Sequence, residues 1–318
     1  MKAPLHALAT GLTLATALVL FASFNRNQPE TPVASQVQET PPATTGSEVA
    51  SVRLPQVITS VNMQRVYDFA GEVVPKENFD AMERLDRELS INSYWHSSTL
   101  LNLKSAHRFF PIIEPILKAN GVPDDLKYIA VIESNLRNET SPAGAKGIWQ
   151  FMKPTAEHYG LEINSQVDER LHLEKATEAA CRYLKDYYAD FGSWTLAAAA
   201  YNMGGPRVKR LLQEQKAQSY YDLNLGSETS RYVFRIIAMK EIMQDPEAFG
   251  FYVNPGDVYQ PFEYQTVTVD STVASWADFA LDHGTSYRLL KVFNPWLIDN
   301  DLANRSRKSY VIQVPLSE

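Results

Sequence analysis

Apolar residues recur three and four positions apart through most of the stretch from Glu77 to Met243, and that spacing restricts it to packed helices. Met82, Leu85 and Leu89 mark one helix over 77–92. A second is expected to start with Ser98 or Thr99 as its cap, to present Ala106, Phe110, Ile113 and Leu117 on one face, and to stop at Gly121. Helices over Leu173–Phe191 and Trp194–Tyr201 are divided by Gly192, a natural terminator, and the small side chains of Ala197–Ala200 let a neighbour approach closely. A further helix is expected over Arg231–Met243. After Pro246 the pattern breaks, with a boundary near Pro255–Pro261. Tyr264–Val269 then reads as a strand, Val273–His283 and Ser286–Phe293 as short helices, and Tyr310, Ile312 and Val314 as a closing strand. No internal repeat is visible. The expected fold is mainly α, with a helical domain over 57–255 and a small β-α-α-β module over 262–316.

The first residues are of another kind. Lys2 is followed by an uncharged, mostly apolar run from Pro4 to Phe24 and then by Asn25-Arg26, the layout of an export signal. The run is also long enough to span a bilayer, which takes about 20 residues, so residues 1–24 are expected to be either a cleaved signal or a membrane anchor. Residues 25–56 are rich in Pro, Thr, Ser, Gln and Glu and read as a flexible tether. The formal net charge of -7 argues against nucleic acid as a partner. A single cysteine, Cys181, excludes an intrachain disulfide and a thiolate metal cluster, and the six histidines form no metal-ligand pair on a helix. No metal or cofactor is expected.

One helix contains an anomaly. In Val122–Ser134, Pro123 suits a first helical position, and Asp124 and Asp125 complement the positive end of the helix dipole. Leu126, Ile129, Ala130 and Glu133 then fall at i, i+3, i+4 and i+7, so a carboxylate stands where the pattern calls for an apolar residue. A glutamate there is commonly a helix-end residue paired with an arginine. It can equally be an acid whose pKa is raised by apolar surroundings, poised to give up a proton near neutral pH.

The residues around and after it carry a family resemblance. Glu133-Ser134 is followed by Gly147-Ile148-Trp149-Gln150, then by Ala200-Tyr201-Asn202-Met203-Gly204, then by Glu228-Thr229-Ser230-Arg231-Tyr232. In that order they resemble the motifs of the lytic transglycosylases related to goose-type lysozyme, over about Pro111–Met243. The C-terminal module resembles a LysM domain, although the usual Gly-Asp-Thr-Leu is Asp270-Ser271-Thr272-Val273 here.

The resemblance implies a lysozyme-like helical fold, a location in the bacterial cell envelope, and peptidoglycan glycan strands as substrate. It implies that Glu133 protonates the oxygen between N-acetylmuramic acid and N-acetylglucosamine. The same residue then removes the proton of the muramyl C6 hydroxyl, which attacks C1 to give a 1,6-anhydro end. Ser134 would orient Glu133 or the substrate; Gln150, Tyr201 and Asn202 would bind sugar groups; Tyr232 would stand beside Glu133. Two other readings are a muramidase hydrolysing the same bond with water and a noncatalytic wall-binding protein. No Cys-His or Ser-His arrangement suggests a peptidase or amidase.

Overall fold

Why the helical segments pack as they do is clearest at α8, Ser227–Gln244, which has apolar side chains on every side and is buried over most of Val233–Ile242. Such a helix is stable only when neighbours surround it, and α1 (Phe79–Tyr94), α3 (Lys127–Ser134) and α6 (Trp194–Met203) pack against it. The computed structural model describes residues 59–316. Between these helices run α2 (His96–Ala119), α4 (Lys153–His158), α5 (Leu173–Phe191) and α7 (Gly205–Gln215). The alanines of α6 are wholly buried, which brings it close to both α5 and α8. Cys181 of α5 lies in the same core, where burial pushes its thiol up to about 12.

Several expected boundaries move. The second helix begins at His96, with Trp95 as its cap, so neither Ser98 nor Thr99 caps it. Instead, the Thr99 hydroxyl donates back to Asn92 O at 2.7 Å and stitches the α1–α2 corner. Pro123 precedes a 3-10 turn, Asp124–Leu126, and α3 proper starts only at Lys127. The last long helix starts at Ser227, so the Glu228–Tyr232 stretch is helical throughout. The expected signal segment 1–24 and tether 25–56 lie outside the described residues. Among the described residues no helix is long and apolar enough to cross a membrane.

A hairpin of two short strands, β1 (Asp68–Phe69) and β2 (Glu72–Val73), was not legible in the sequence, yet it fixes two helix ends. Glu72 accepts from the backbone N–H groups of Trp194 and Thr195, and from the hydroxyls of Ser193 and Thr195, both at 2.8 Å. A carboxylate therefore caps α6 from outside its own segment, where the first N–H groups lack partners and the dipole favours negative charge. Lys240 of α8 donates to Asp68 Oδ1 at 3.0 Å and Asp125 Oδ2 at 2.7 Å, tying the hairpin to the turn before α3. Glu72→Ala should lower stability by about 2 kcal/mol in denaturant unfolding. A change below a quarter of that would mean that water replaces the cap.

The C-terminal module is β3 (Tyr264–Val269), α9 (Trp276–Asp282), α10 (Tyr287–Phe293) and β4 (Tyr310–Pro315). The strands pair antiparallel from Tyr264↔Pro315 to Val269↔Tyr310. Its core of Trp276, Ala280, Leu290, Ile312 and Val314 is separate from that of the helical domain, but it takes in Val167 from the 162–171 loop.

Candidate active site

Glu133 stands in the last turn of α3, behind a buried face of Leu126, Ile129 and Ala130. The helix stops at Ser134, after which Asn135 turns into the left-handed region (φ 52°) and Leu136 follows it there (φ 56°). Asn tolerates that conformation, and here its side-chain oxygen also accepts from Asn102 Nδ2 at 3.0 Å. Leu136 has no such excuse and is held by burial. The bend leaves the Glu133 carboxyl at the end of a rigid helix, facing the N-terminal half of α8.

From α8, Tyr232 donates its hydroxyl to Glu133 Oε1 at 2.5 Å. Burial raises the Glu133 pKa above the ordinary carboxylate value, and this outweighs the lowering by the Tyr232 hydrogen bond and by Arg235. Both Tyr232 and Tyr201 are held far above the usual phenol range, first by burial and then by the charge of Glu133, so each remains a hydrogen-bond donor. The carboxyl is thus kept protonatable, with a phenol placed to steady its anion.

The other expected residues form the loop and the helix pair around it. Ser134 donates to Ile148 O at 2.9 Å and to Ala130 O at 3.1 Å, so its hydroxyl locks the end of α3 to the 144–151 loop. Tyr201 donates to Trp149 O at 2.6 Å, holding the same loop from α6. Gln150 sits at φ 49° and donates through Nε2 to Gly147 O at 2.8 Å and Glu139 O at 3.1 Å. Asn202 Oδ1 accepts from Thr229 at 2.9 Å and ties α6 to α8. The six expected residues therefore fall on three walls: α3, the 144–151 loop, and the α6–α8 pair.

Sequence reasoning missed Asp168 and Arg170, which hold that loop from below. Arg170 meets both carboxylate oxygens of Asp168, at 2.9 and 2.7 Å, and reaches Gly144 O at 3.1 Å and Phe151 O at 3.3 Å. The Arg170 carbonyl lies so near Gly147 that a β-carbon there would come within 1.9 Å of its oxygen. Asp-x-Arg in a polar segment reads as solvated loop, and nothing in that segment marks its contact with Gly147. Two hollows, of about 810 and 190 Å³, belong to the module and to its junction with the helical domain; neither is lined by Glu133.

Comparison with known proteins gives the family of each part of the chain. The family model described as "Transglycosylase SLT domain" matches residues 110–224, and "Soluble lytic transglycosylase C-terminal LysM-like domain" matches residues 265–318. Membrane-bound lytic murein transglycosylase D of Escherichia coli K12 is 30% identical over 224 residues, which is 69% of this chain and 48% of that protein. The chain therefore spans about half the length of that relative. A putative tributyltin chloride resistance protein of an Alteromonas species is 30% identical over 107 residues, 33% of this chain and 51% of that protein.

Among solved structures, the 70 kDa soluble lytic transglycosylase of Escherichia coli aligns at 19% identity over 58% of this chain and 36% of its own, with a TM-score of 0.39. An inactive mutant of the lytic transglycosylase Slt from Pseudomonas aeruginosa aligns at 22% identity over 48% of this chain and 26% of its own, with a TM-score of 0.36. Residues 110–224 are accordingly a transglycosylase SLT domain, residues 265–318 a soluble lytic transglycosylase C-terminal LysM-like domain, and the chain is a homologue of membrane-bound lytic murein transglycosylase D.

Proposed function

We propose that the protein is a peptidoglycan lytic transglycosylase that cleaves the bond between N-acetylmuramic acid and N-acetylglucosamine and leaves a 1,6-anhydromuramic end. The observation that carries this reading is the Glu133 carboxyl: raised in pKa by burial, set at a helix end, and bonded at 2.5 Å to a phenol. A protonated Glu133 gives its proton to the glycosidic oxygen as the bond to C1 breaks. Its carboxylate then takes the proton of the C6 hydroxyl, whose oxygen forms the new bond to C1. Protons balance within one residue, no water enters, and the second carboxylate used by most glycoside hydrolases is not needed.

In this reading Tyr232 stabilises the transient Glu133 anion, and Ser134 fixes the end of α3. Tyr201 spends its hydroxyl on the loop carbonyl of Trp149, so its share in binding is to hold Gln150 in place. Gln150 Nε2 is engaged by the loop, which leaves its side-chain oxygen to accept from an acetamido N–H. Asn202, with its oxygen taken by Thr229, has its amide N–H groups to donate to sugar oxygens. A glycan-strand substrate also implies export to the cell envelope, with residues 1–24 as signal or anchor.

The test is mass spectrometry of the products released from purified sacculi. Products lighter by one water than reducing muropeptides, carrying the anhydro ring, are expected. Reducing muramyl ends would replace this reading with hydrolysis, and no release at all would leave only wall binding.

A further inference from the structure

The 162–171 loop is closed on itself by a bridge between Ile163 and Asp168, and the module holds it from one side. The Asp168 N–H donates to Trp296 O at 2.9 Å, and Gln166 O accepts from the Ile298 N–H at 2.9 Å. These bonds flank a bridge between Val167 and Leu297. Val167 is fully buried, and it is buried in the core of the module rather than in that of the helical domain. Gln166 Oε1 accepts from the Ala303 N–H at 3.0 Å, Tyr310 donates to Glu162 at 2.9 Å, and His172 stacks on Trp296 at 5.4 Å. The loop pairs other backbone groups internally, Glu169 N–H with Glu162 O at 2.9 Å and Asn164 N–H with Val167 O at 2.8 Å, while Asp168 N–H and Gln166 O find their partners in the module.

The other side of the same loop supports the cleft. Asp168 is the hinge of the arrangement: its backbone N–H is bonded to the module, while its carboxylate grips Arg170. Arg170 in turn holds two carbonyls of the 144–151 loop, and its own carbonyl packs on Gly147. Lys146, within that loop, returns to Asp168 Oδ2 at 3.4 Å. The 144–151 loop then presents Gln150 and anchors Ser134, the neighbour of Glu133.

We infer that Asp168 and Arg170 are positioning residues for cleavage, and that the C-terminal module is the support which holds them in place beneath the 144–151 loop. The contribution to rate rests on the function proposed above; the mechanical coupling does not. The module is in this sense a wall of the enzyme and not an appended domain that can be undocked without effect.

The experiment uses the full chain and two variants that cut the linkage at opposite ends. Val167→Asp places a carboxylate in the module core and undocks the loop without touching the cleft. Arg170→Gln cuts the link on the cleft side and leaves the module docked. Amide hydrogen exchange is followed at Gly147, Gln150 and Phe151, with residues 233–242 of α8 as the internal reference, and kcat and KM are measured on soluble, uncrosslinked glycan strands.

In both variants the loop amides should exchange about tenfold faster while α8 is unchanged, because the loop opens locally without global unfolding. A kcat about tenfold lower should accompany this. If Val167→Asp speeds exchange only within 162–171 and kcat is that of the wild type, the inference is overturned. It is overturned equally if Arg170→Gln leaves the 144–151 amides protected. Should the unaltered protein cleave no glycan, the functional reading falls, while the exchange data still decide the coupling.

Discussion

Glu133→Gln should yield a folded protein whose cleavage of glycan strands is lower by about 10³-fold, the loss expected when one group serves as both acid and base. Glutamine keeps the shape of the side chain and still accepts from Tyr232, so the structure has no reason to move. Stability should respond in the opposite sense. The folded-state pKa of Glu133 is raised, so its ionised form is disfavoured in the fold. Its contribution to stability is complete below the unfolded value near 4.5 and is lost as the pH rises through the folded value. The variant should therefore gain on the wild type between acid and neutral pH, a trend that parallel melts at several pH values would show.

Tyr232→Phe removes the hydrogen bond that holds the Glu133 pKa down. The alkaline limb of the pH–rate profile, where the protonated acid is lost, should move upward as the rate falls about tenfold. A Glu133→Gln variant with near-normal cleavage, or a limb that moves downward in Tyr232→Phe, would remove Glu133 from the reaction as proposed.

Gly147→Ala should be the most damaging single-methyl change in the helical domain, destabilising by about 3–5 kcal/mol. Two costs combine. Gly147 has φ +83°, a conformation in which a β-carbon is strained, and the new methyl would lie 1.9 Å from the Arg170 carbonyl oxygen. That oxygen is backbone, and Arg170 is itself tied down by four hydrogen bonds from its guanidinium. A loss of this size is a large part of the total stability of a typical domain. Chemical denaturation measures it directly, and a loss under about 1 kcal/mol would show that the loop can shift freely against the 168–171 turn.

The elements legible in the sequence are those whose pattern is long or strongly punctuated. Leu173–Phe191 was readable to the residue, because a 19-residue amphipathic run ends on Gly192 in the left-handed conformation. Tyr264–Val269 was equally clear, from its β-prone run after the prolines. The hairpin at Asp68–Val73 has strands of two residues each, too short for alternation to register. The start of α2 was misplaced because Ser98 and Thr99 resemble caps; their hydroxyls bond across to Asn135 and Asn92 instead.

At the site, Glu133 stood out by itself as a charge on an apolar stripe. Tyr201, Gln150, Asn202 and Tyr232 came from ordered motifs, since each alone looks like a core aromatic or a cap. Asp168, Arg170 and Glu72 left no periodic signal, because their partners are supplied by tertiary contact with distant segments.

Cys181 has a practical consequence. The thiolate is the reactive form of cysteine, and a thiol held near 12 within a closed helical core offers almost none at neutral pH. Since the chain has no other cysteine, a thiol reagent finds its target only in molecules where α5 has come away from its neighbours. The labelling rate is then a clock for opening of the helical core, readable without substrate. With that background silent, one cysteine introduced on the surface would be the sole labelled site of the folded protein.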